Sequence, residues 1–444
     1  MKQLKITFWT GLLIISGLWL LADDLIPEPF NYFSFRSVFM QYSGILAMSV
    51  MSVAMILALR TQWIEKKLGG LDKTYRLHKW LGITALVVAV IHWWWAQGTK
   101  WMVGWGWLAK PERKSHGAQV LSSVEQWFRN QRGLAESMGE WAFYAVVILI
   151  ALALIKRFPY RLFRKTHQLI AVAYLVLVYH TIILVQTDYW LQPIGWVMAV
   201  LLLSGTVSAV LVLTARVGKN RQTKGVIEAI TYYPGLKVVE TIIKMNHGWT
   251  GHKPGQFAFV TSNKKEGPHP YTIASAWDAD DRKLMFVTKG LGDWTSQLPG
   301  RLKQGMSVLV EGPYGCFDFN DNNSGQIWVG AGIGITPFIA RMKYLSKNKG
   351  KQCIDLFHAT TDYEQAAIDK LMADAKAAGV KLHLIVTPKD GRLTPKQIRE
   401  AVPDWNTASI WYCGPNTLGK VIKDDFISNG LSSKDFHQEL FEMR

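Results

Sequence analysis

The chain has 444 residues, a formal net charge of +17 and apolar residues that are concentrated in its first half. This length allows two or three domains, and the contrast between the halves predicts a membrane-embedded part up to about residue 214 followed by a soluble part. The basic residues cluster at the ends of apolar runs, as in cytoplasmic loops of membrane proteins, which excludes nucleic acid as the partner and indicates the lipid bilayer instead.

Six apolar runs are long enough to cross a hydrocarbon core of about 30 Å. The first run follows Lys2 and Lys5 and is also compatible with a signal peptide, but we interpret it as an uncleaved span. The prediction of the other five spans does not depend on that choice. The runs lie near residues 5–21, 37–59, 77–96, 138–155, 167–186 and 191–214.

Basic residues on alternate sides of the spans predict the orientation of the chain. They cluster between spans 2 and 3, between spans 4 and 5, and after span 6. The positive-inside rule therefore predicts an inner (plasma) membrane protein whose N-terminus and C-terminal half are cytoplasmic. The loop 97–137 is then external although it carries basic residues, because long loops weigh little in orientation. Its tryptophans suit an interfacial belt, and they include Trp101, Trp105, Trp107 and Trp127.

Four histidines lie inside the predicted spans, where ionisable side chains are costly and usually functional. His78 and His167 lie near the cytoplasmic ends of spans 3 and 5, and His92 and His180 lie near the external ends. Two helices thus offer one imidazole each at two depths, about 20 Å apart along each helix. This arrangement predicts two bis-histidine b-type haems, because low-spin electron-transfer haem takes an axial ligand on each face.

The rotational phase of the histidines agrees with this prediction on one helix only. The fourteen residues from His78 to His92 return to within about 40° of one face, whereas the thirteen from His167 to His180 miss by about 140°. Span 5 therefore needs a distortion, or its ligands approach from different flanks. Four interhelical hydrogen-bonding histidines are the alternative, which the two matched pairs disfavour. Zinc is disfavoured because it binds three or four ligands within a few ångströms.

Residues 70–78 (GLDKTYRLH) and the two histidine spacings resemble the ferric reductase-like and NADPH oxidase family of transmembrane flavocytochromes b. By this resemblance, Arg36 at the external entry of span 2 matches an arginine near the outer haem, where it neutralises a propionate or attracts an anionic acceptor. A snorkelling interfacial arginine explains Arg36 equally well.

The chain changes character near Gly218, from where short β-type runs are divided by Gly and Pro. This pattern predicts a small antiparallel β-barrel, and the alternation of strands and helices after residue 315 predicts an α/β domain. The cysteines of this half show no disulfide-like or metal-like spacing, which indicates a reducing cytoplasmic setting. They are Cys316, Cys353 and Cys413.

Two segments of the predicted barrel resemble the FAD-binding signatures of the ferredoxin-reductase superfamily. In HPYTIAS at 269–275, the resemblance implies that Tyr271 packs on the flavin and that Thr272 hydrogen-bonds near the isoalloxazine N5, while His269 replaces the usual arginine. In KGLGDWT at 289–295, backbone amides and a hydroxyl would cradle the FAD pyrophosphate. The implied contacts with FAD are His269, Pro270, Tyr271, Thr272, Ser275, Lys289, Gly292 and Thr295.

A strand at 327–329 runs into the segment GAGIGITP at 330–337, which predicts a dinucleotide pyrophosphate site at a helix start. The later segment WYCGP at 411–415 resembles the nicotinamide-side motif of the superfamily, which places Cys413 near the hydride path. By the same resemblance Phe441 covers the flavin until nicotinamide displaces it, and a core phenylalanine is the alternative. The implied contacts on this side are Gly330, Gly332, Gly334, Thr336, Pro337, Cys413, Gly414, Pro415 and Phe441.

The sequence leaves the choice between NADH and NADPH open. The phosphate of NADP usually meets an arginine after the second strand of such a domain. The segment 357–362 (FHATTD) has none, whereas Lys389 and Arg392 lie in a later loop and are candidates to replace it. The sequence therefore predicts a nicotinamide dinucleotide donor, NADH or NADPH.

The patterns and the resemblance together imply three domains. These are a six-helix transmembrane bis-haem domain (1–216), an antiparallel β-barrel FAD-binding domain (217–322) and an α/β NAD(P)H-binding domain (323–444). The implied activity is that of an NAD(P)H-dependent transmembrane oxidoreductase that passes electrons through FAD and two b-type haems to O2 or a ferric chelate. Its predicted reaction path includes Thr272, Cys413, Phe441 and Arg36. The alternative is a membrane electron-transfer module that reduces a periplasmic partner protein.

Overall fold

The computed structural model describes residues 2–109, 123–155 and 157–439. These residues form two compact units. One unit contains the chain up to Ile64 and Thr74–Val217, and the other contains Glu65–Lys73 and the chain from Gly218 onward. The predicted domain boundaries after residues 216 and 322 stay predictions.

The first unit is helical, and its described residues include six helices that are long and apolar enough to cross a membrane. This confirms the predicted number of spans and the multi-pass membrane character of the chain. A short helix, α3, precedes the third span. The helices of this part are α1 (Lys2–Leu20), α2 (Tyr32–Leu57), α3 (Gln62–Leu68), α4 (Leu71–Gly104), α5 (Ser123–Leu154), α6 (Tyr160–Leu184) and α7 (Pro193–Leu213).

Local chemistry fixes where several of these helices begin. Asn31 caps α2 by accepting the N–H groups of Phe33 and Ser34, and the Ser34 hydroxyl in return accepts the N–H of Asn31. This reciprocal capping box satisfies donors that a helix start otherwise leaves open. Pro193 opens α7, where no backbone N–H is needed.

The prediction of one long loop over 97–137 is wrong for the parts that the structure describes on either side of residues 110–122. Helix α4 continues to Gly104, and α5 already begins at Ser123. The sequence in both extensions is free of proline, so backbone hydrogen bonding continues after the apolar run has ended. Trp105 and Trp107 are 63% and 72% exposed at the end of this extension, as an interfacial aromatic belt requires.

The second unit begins with a six-stranded antiparallel sheet in the order β4-β3-β6-β1-β2-β5. Its apolar side chains, among them Ile243, Phe286 and Val310, form one buried core. The architecture confirms the predicted antiparallel fold. The elements are β1 (Gln222–Tyr233), β2 (Val238–Met245), β3 (Phe257–Thr261), β4 (His269–Thr272), β5 (Lys283–Lys289), α8 (Leu298–Arg301) and β6 (Ser307–Tyr314).

A five-stranded parallel sheet follows in the order β11-β10-β7-β8-β9 and confirms the predicted α/β fold. The chain proceeds from β7 to one side of the sheet and returns to β10 on the other side, so the switch point lies between β7 and β10. Ligands of open parallel sheets bind at such points. The elements are β7 (Gly325–Ala331), α9 (Thr336–Lys347), β8 (Cys353–Thr360), α10 (Gln365–Ala378), β9 (Lys381–Val386), α11 (Thr387–Asp390), α12 (Pro395–Ala401), β10 (Ala408–Cys413), α13 (Asn416–Ser428) and β11 (Phe436–Glu439).

The segment Glu65–Lys73 packs with this second unit although it lies between two spans in the sequence. Its Glu65 is buried, and the Oε1 atom accepts the backbone N–H of Gly315 at 2.6 Å. Gly315 directly follows strand β6. The connection between α2 and α4 is therefore a structural part of the sheet-containing unit.

Candidate functional site

The two histidines predicted at the cytoplasmic depth are in ring contact, with an angle of 68° between the ring planes. The ring centroids of His78 and His167 are 5.9 Å apart. Metal–imidazole bonds are about 2 Å long, so two rings on opposite sides of one metal ion have centroids roughly 6 Å apart. The Nδ1 atom of His78 lies 2.9 Å from the carbonyl oxygen of Ala54 on α2. A carbonyl only accepts, so Nδ1 carries the proton and Nε2 keeps the lone pair that a metal ligand needs.

The second pair is organised in a similar way. The Nδ1 atom of His180 donates to the carbonyl of Ala135 on α5 at 2.8 Å, which again leaves Nε2 for a metal. The Nδ1 atom of His92 is 2.9 Å from the Ser43 hydroxyl. Helices α4 and α6 thus each contribute one histidine at each of the two depths, and the pairing of His92 with His180 stays a prediction.

The two histidines of α6, whose rotational positions differ in the sequence analysis, contact different helices. His167 faces α4, whereas His180 bonds to α5. Both histidines of α4 bond to α2, at Ala54 and Ser43. These contacts are compatible with ligands that approach from different flanks, one of the two explanations open from the sequence, and that explanation stays a prediction.

A glycine on α5 makes room for the ring of His180. A Cβ atom built on Gly139 would lie 2.0 Å from His180 Nδ1 and 2.5 Å from its Cε1. A residue with a Cβ atom at position 139 would therefore exclude the imidazole from this place. Within the described residues, no three His, Cys, Asp or Glu side chains are grouped as a metal-binding cluster, so the residues present suit a two-ligand metal group better than zinc.

Arg36 lies beside the second pair. Its Nε donates to the carbonyl of Trp95 at 3.1 Å, and its charge acts on His92. The position agrees with an anion-attracting or propionate-neutralising role, but that role stays a prediction.

The predicted flavin segment forms an edge strand of the antiparallel sheet. In β4, Thr272 pairs with Phe257 and Tyr271 pairs with Ala258. The ring of His269 lies nearly parallel to Tyr271, with centroids 6.3 Å apart, and nearly parallel to Trp294, at 5.9 Å. Three roughly parallel rings, two of them on this edge strand, offer aromatic surface for a planar cofactor.

Other residues of the FAD prediction hold the protein itself together. The Ser275 hydroxyl accepts the N–H of Met285 at 3.1 Å and thereby fixes the strand next to the motif. The Thr295 hydroxyl accepts the N–H groups of Leu291 and Gly292, both at 3.0 Å. A pyrophosphate at these amides would replace the Thr295 hydroxyl, because one N–H makes one strong hydrogen bond.

The glycine-rich turn lies at the switch point of the parallel sheet, where it was predicted. A Cβ atom on Gly334 would lie 2.2 Å from the Cys413 carbonyl oxygen, so only glycine allows this approach of the turn to β10. The Thr336 hydroxyl donates to the Ile333 carbonyl at 2.7 Å. Pro337 lies in the first turn of α9, where the helix itself does not use the backbone N–H groups. The remaining predicted glycines of this region, with their neighbouring proline, are Gly330, Gly332, Gly414 and Pro415.

Cys413 is completely buried at the end of β10, and burial raises the pKa of its thiol well above the ordinary value. In the sheet register it pairs with Glu439 on β11. Phe441, the predicted flavin cover, lies outside the described residues. A thiol that stays neutral suits close contact with an apolar ring better than nucleophilic chemistry.

Glu439 was missed by the sequence analysis. It is buried, its Oε2 atom has no hydrogen-bond partner among the residues up to 439 that the structure describes, and burial, with Asp72 adding to it, raises its pKa to about 8. A strongly perturbed carboxyl beside Cys413 is a candidate functional group. Its only signal in the sequence is weak, an acidic residue in a short strand near the C-terminus.

A cleft between β2 and β5 of the antiparallel sheet and the parallel sheet contains further residues that were not predicted as a group. Its lining includes Gly332 of the glycine-rich turn and two pairs of opposite charge. The pairs are Lys289 with Asp362, and Lys370 with Glu240. The glycine-rich turn connects this cleft to the predicted nucleotide site.

Two family models match different parts of the chain. A family model described as the ferric reductase like transmembrane component matches residues 43–178, and one described as an FAD-binding domain matches residues 224–317. The first range contains His78, His92 and His167 and ends two residues before His180, and the second contains the HPYTIAS segment.

Curated relatives match parts of the chain. Respiratory burst oxidase homolog protein E of Arabidopsis thaliana is 28% identical over 235 residues, which cover 45% of this chain and 23% of the relative. Ferric reduction oxidase 4 of the same organism is 37% identical over 108 residues, which cover 22% and 15%. The chain therefore spans less than a quarter of the length of these two relatives.

A flavohemoglobin from Malassezia yamatoensis has a similar fold. Its crystal structure, with bound FAD and heme, covers 91% of this chain and 98% of its own, with a TM-score of 0.50 and 14% identity. At this identity the likeness concerns the fold alone.

Proposed function

We propose that this chain, in which a ferric reductase like transmembrane component precedes an FAD-binding domain, is an NAD(P)H-dependent transmembrane oxidoreductase. It passes electrons from cytoplasmic NAD(P)H, through FAD and two b-type haems, to an acceptor on the other side of the membrane. When bound, FAD accepts hydride and the haems carry single electrons.

The histidine pairs carry this proposal. His78 and His167 would hold the haem at the cytoplasmic depth, and His92 and His180 would hold the outer one. Hydrogen bonds to Ala54 and Ala135 fix the tautomer in which Nε2 is available, as second-shell partners of metal-bound histidines do. Two depths, each with ligands from α4 and α6, are what a route across the bilayer needs, because one haem spans only part of a hydrocarbon core of about 30 Å.

The cytoplasmic entrance is supported by the second unit. His269, Tyr271 and Trp294 offer the ring platform for the isoalloxazine. The turn at Gly332 and the start of α9 would bind the nicotinamide dinucleotide pyrophosphate through backbone amides. The buried and neutral Cys413 would pack against the nicotinamide without reacting with it.

The orientation follows from the basic residues between spans 2 and 3 and after span 6, which place the FAD-binding part in the cytoplasm. The acceptor is then reached from His92 and His180. O2 and ferric chelates are both compatible with Arg36. Its positive charge would attract an anionic chelate, and it would stabilise the superoxide anion that forms from O2.

The test uses the purified full-length protein, reconstituted with FAD and haem in lipid nanodiscs. We expect a haem Soret band with about two haems per chain, NAD(P)H oxidation, and either superoxide production under air or ferric-chelate reduction without air. A protein without a Soret band would contradict the proposal. Activity that appears only with a periplasmic partner protein would identify the chain as an electron-transfer module, and the terminal reductase reaction would then belong to the partner.

A further inference from the structure

The cleft between the two sheets places an acidic residue where a nucleotide ribose would bind. Asp362 lies two residues after the end of β8, and Thr360 fixes its position by accepting the Asp362 N–H at 3.2 Å and donating to its carbonyl at 2.8 Å. Asp362 and Gly332 line the same cleft. In doubly wound nucleotide domains, the residue after the second strand contacts the ribose that in NADP carries the 2′-phosphate.

The charges that line this cleft are already balanced. Lys289 pairs with Asp362, and the Nζ atom of Lys370 is 2.7 Å from both carboxylate oxygens of Glu240. The remaining acidic residue of the lining, Asp374, pairs with Lys343 at 2.9 Å. Among the described lining residues, each lysine thus has a carboxylate partner. His358 adds no charge near neutral pH, because burial lowers its pKa.

A 2′-phosphate would have to enter this cleft without a cation of its own. An anion that loses water without gaining a partner is strongly disfavoured. Ribose hydroxyl groups, by contrast, donate hydrogen bonds, and a carboxylate is an acceptor with room for two of them. The pyrophosphate common to both nucleotides would have its own partners in the amides at the start of α9.

The basic residues considered from the sequence do not line the cleft. Lys389 in α11 and Arg392 after it are exposed, and neither contributes to the cleft lining. The segment from Ala359 to Glu364 contains no lysine or arginine. The geometry therefore provides a carboxylate where a phosphate-binding site would need a cation.

We infer that Asp362 makes this chain selective for NADH over NADPH. On binding, the Oδ1 atom of Asp362, which is not the oxygen that Lys289 contacts, accepts the 2′-hydroxyl of the adenosine ribose. The same carboxylate repels a 2′-phosphate. This inference rests on the proposed function, because it names the donor of that same site.

The test measures anaerobic flavin reduction by NADH and by NADPH in the purified, FAD-loaded full-length protein. We expect kcat/KM for NADH to exceed that for NADPH by about tenfold to a hundredfold, as a hydrogen bond to a charged group implies. Asp362→Asn should reduce this ratio by about tenfold, mainly through a lower KM for NADPH. Equal use of both nucleotides, or a preference for NADPH, by the wild-type protein overturns the inference and leaves the proposed function intact.

Two further variants make the result specific. Glu364 is a nearby acidic residue that does not line the cleft, and its Oε2 accepts the Gly235 N–H. Glu364→Gln removes this charge and should leave the ratio unchanged. The double variant Lys389→Ala with Arg392→Ala tests the rival phosphate site, and a loss of NADPH use in it, with no effect of Asp362→Asn, would overturn the inference.

Failure of the proposed function has its own signature, since neither nucleotide would then reduce the flavin. Selectivity is in that case read from calorimetric binding of NAD+ and NADP+. Tighter binding of NAD+ supports the inference, and equal or tighter binding of NADP+ overturns it.

Discussion

At the scale of single residues, Gly139 decides whether the outer histidine pair can form. Its position on α5 leaves no room for a methyl group, because the Cβ would lie 2.0 Å from His180 Nδ1. We expect Gly139→Ala to displace His180 and to lower the haem content from about two to about one per chain. Pyridine haemochrome analysis of the purified variant measures this.

Gly133 provides the matched control for that variant. It lies on the same helix, and a Cβ there would meet no heavy atom within 4 Å. Gly133→Ala should therefore retain the haem content of the wild type. Two haems with an unchanged spectrum in Gly139→Ala would contradict the assignment of His180 as a ligand.

Glu439 makes stability depend on pH. Its folded-state pKa is raised, to about 8 from an ordinary 4.5, by burial first and by Asp72 second. Between these two values the unfolded chain releases a proton that the folded chain keeps, so stability falls as the pH rises from about 4.5 to 8. Above pH 8 both states are ionised, and the loss is complete.

The variant Glu439→Gln should remove this contribution. We expect the unfolding temperature, monitored through the release of FAD, to change between pH 5.5 and 8 by several degrees less in this variant than in the wild-type protein. Asp424→Asn changes an exposed acidic residue on α13 and should behave like the wild type. Parallel pH profiles for the wild type and Glu439→Gln would show that Glu439 is ionised in the folded protein.

At the scale of elements, the sequence predicted those parts that depend on local spacing. The spans, the paired histidines and the glycine turn before Pro337 follow from periodicity and motif order. The helical extensions of α4 and α5 were missed because their apolar pattern ends before their helical hydrogen bonding does. Glu65 and Gly139 were missed for another reason, since their roles depend on residues 250 and 41 positions away that only the folded chain brings near.

The segment Glu65–Lys73 is held in the second unit by a contact between Glu65 and Gly315. The buried carboxylate of Glu65 accepts the Gly315 N–H at 2.6 Å, while Arg221 attracts it and Asp72 repels it. Burial is the largest influence and raises the pKa of Glu65. The contact joins the connection between two spans to the residue that follows the inner strand β6 of the antiparallel sheet.

We expect Glu65→Ala to speed hydrogen exchange at the Gly315 amide by roughly tenfold to a hundredfold, because a buried donor loses a charged acceptor. Hydrogen–deuterium exchange mass spectrometry of the full-length protein measures the peptide that contains Gly315. Gln62→Ala, an exposed position on the same helix α3, is the control and should leave that exchange unchanged. Unchanged protection in Glu65→Ala would mean that the segment is held by its other contacts.

At the scale of the whole molecule, the proposed route has an order that mutations can reveal. In the proposed route, electrons enter at the FAD-binding part, which the positive-inside rule predicts on the same, cytoplasmic side as His78 and His167. His92 and His180 then come last before the acceptor. A defect at one pair should therefore leave every earlier step intact and block every later one.

We expect NADH to reduce the flavin and one haem in His92→Ala, while reduction of an external ferric chelate falls at least about a hundredfold. In His78→Ala the flavin should still be reduced, but neither the remaining haem nor the chelate. Stopped-flow absorbance separates flavin from haem reduction, and His247→Ala, at an exposed histidine of the second unit, controls for the loss of an imidazole. If His78→Ala kept fast haem reduction while His92→Ala lost it, electrons would enter at the opposite end, and the orientation derived from the basic loops would be wrong.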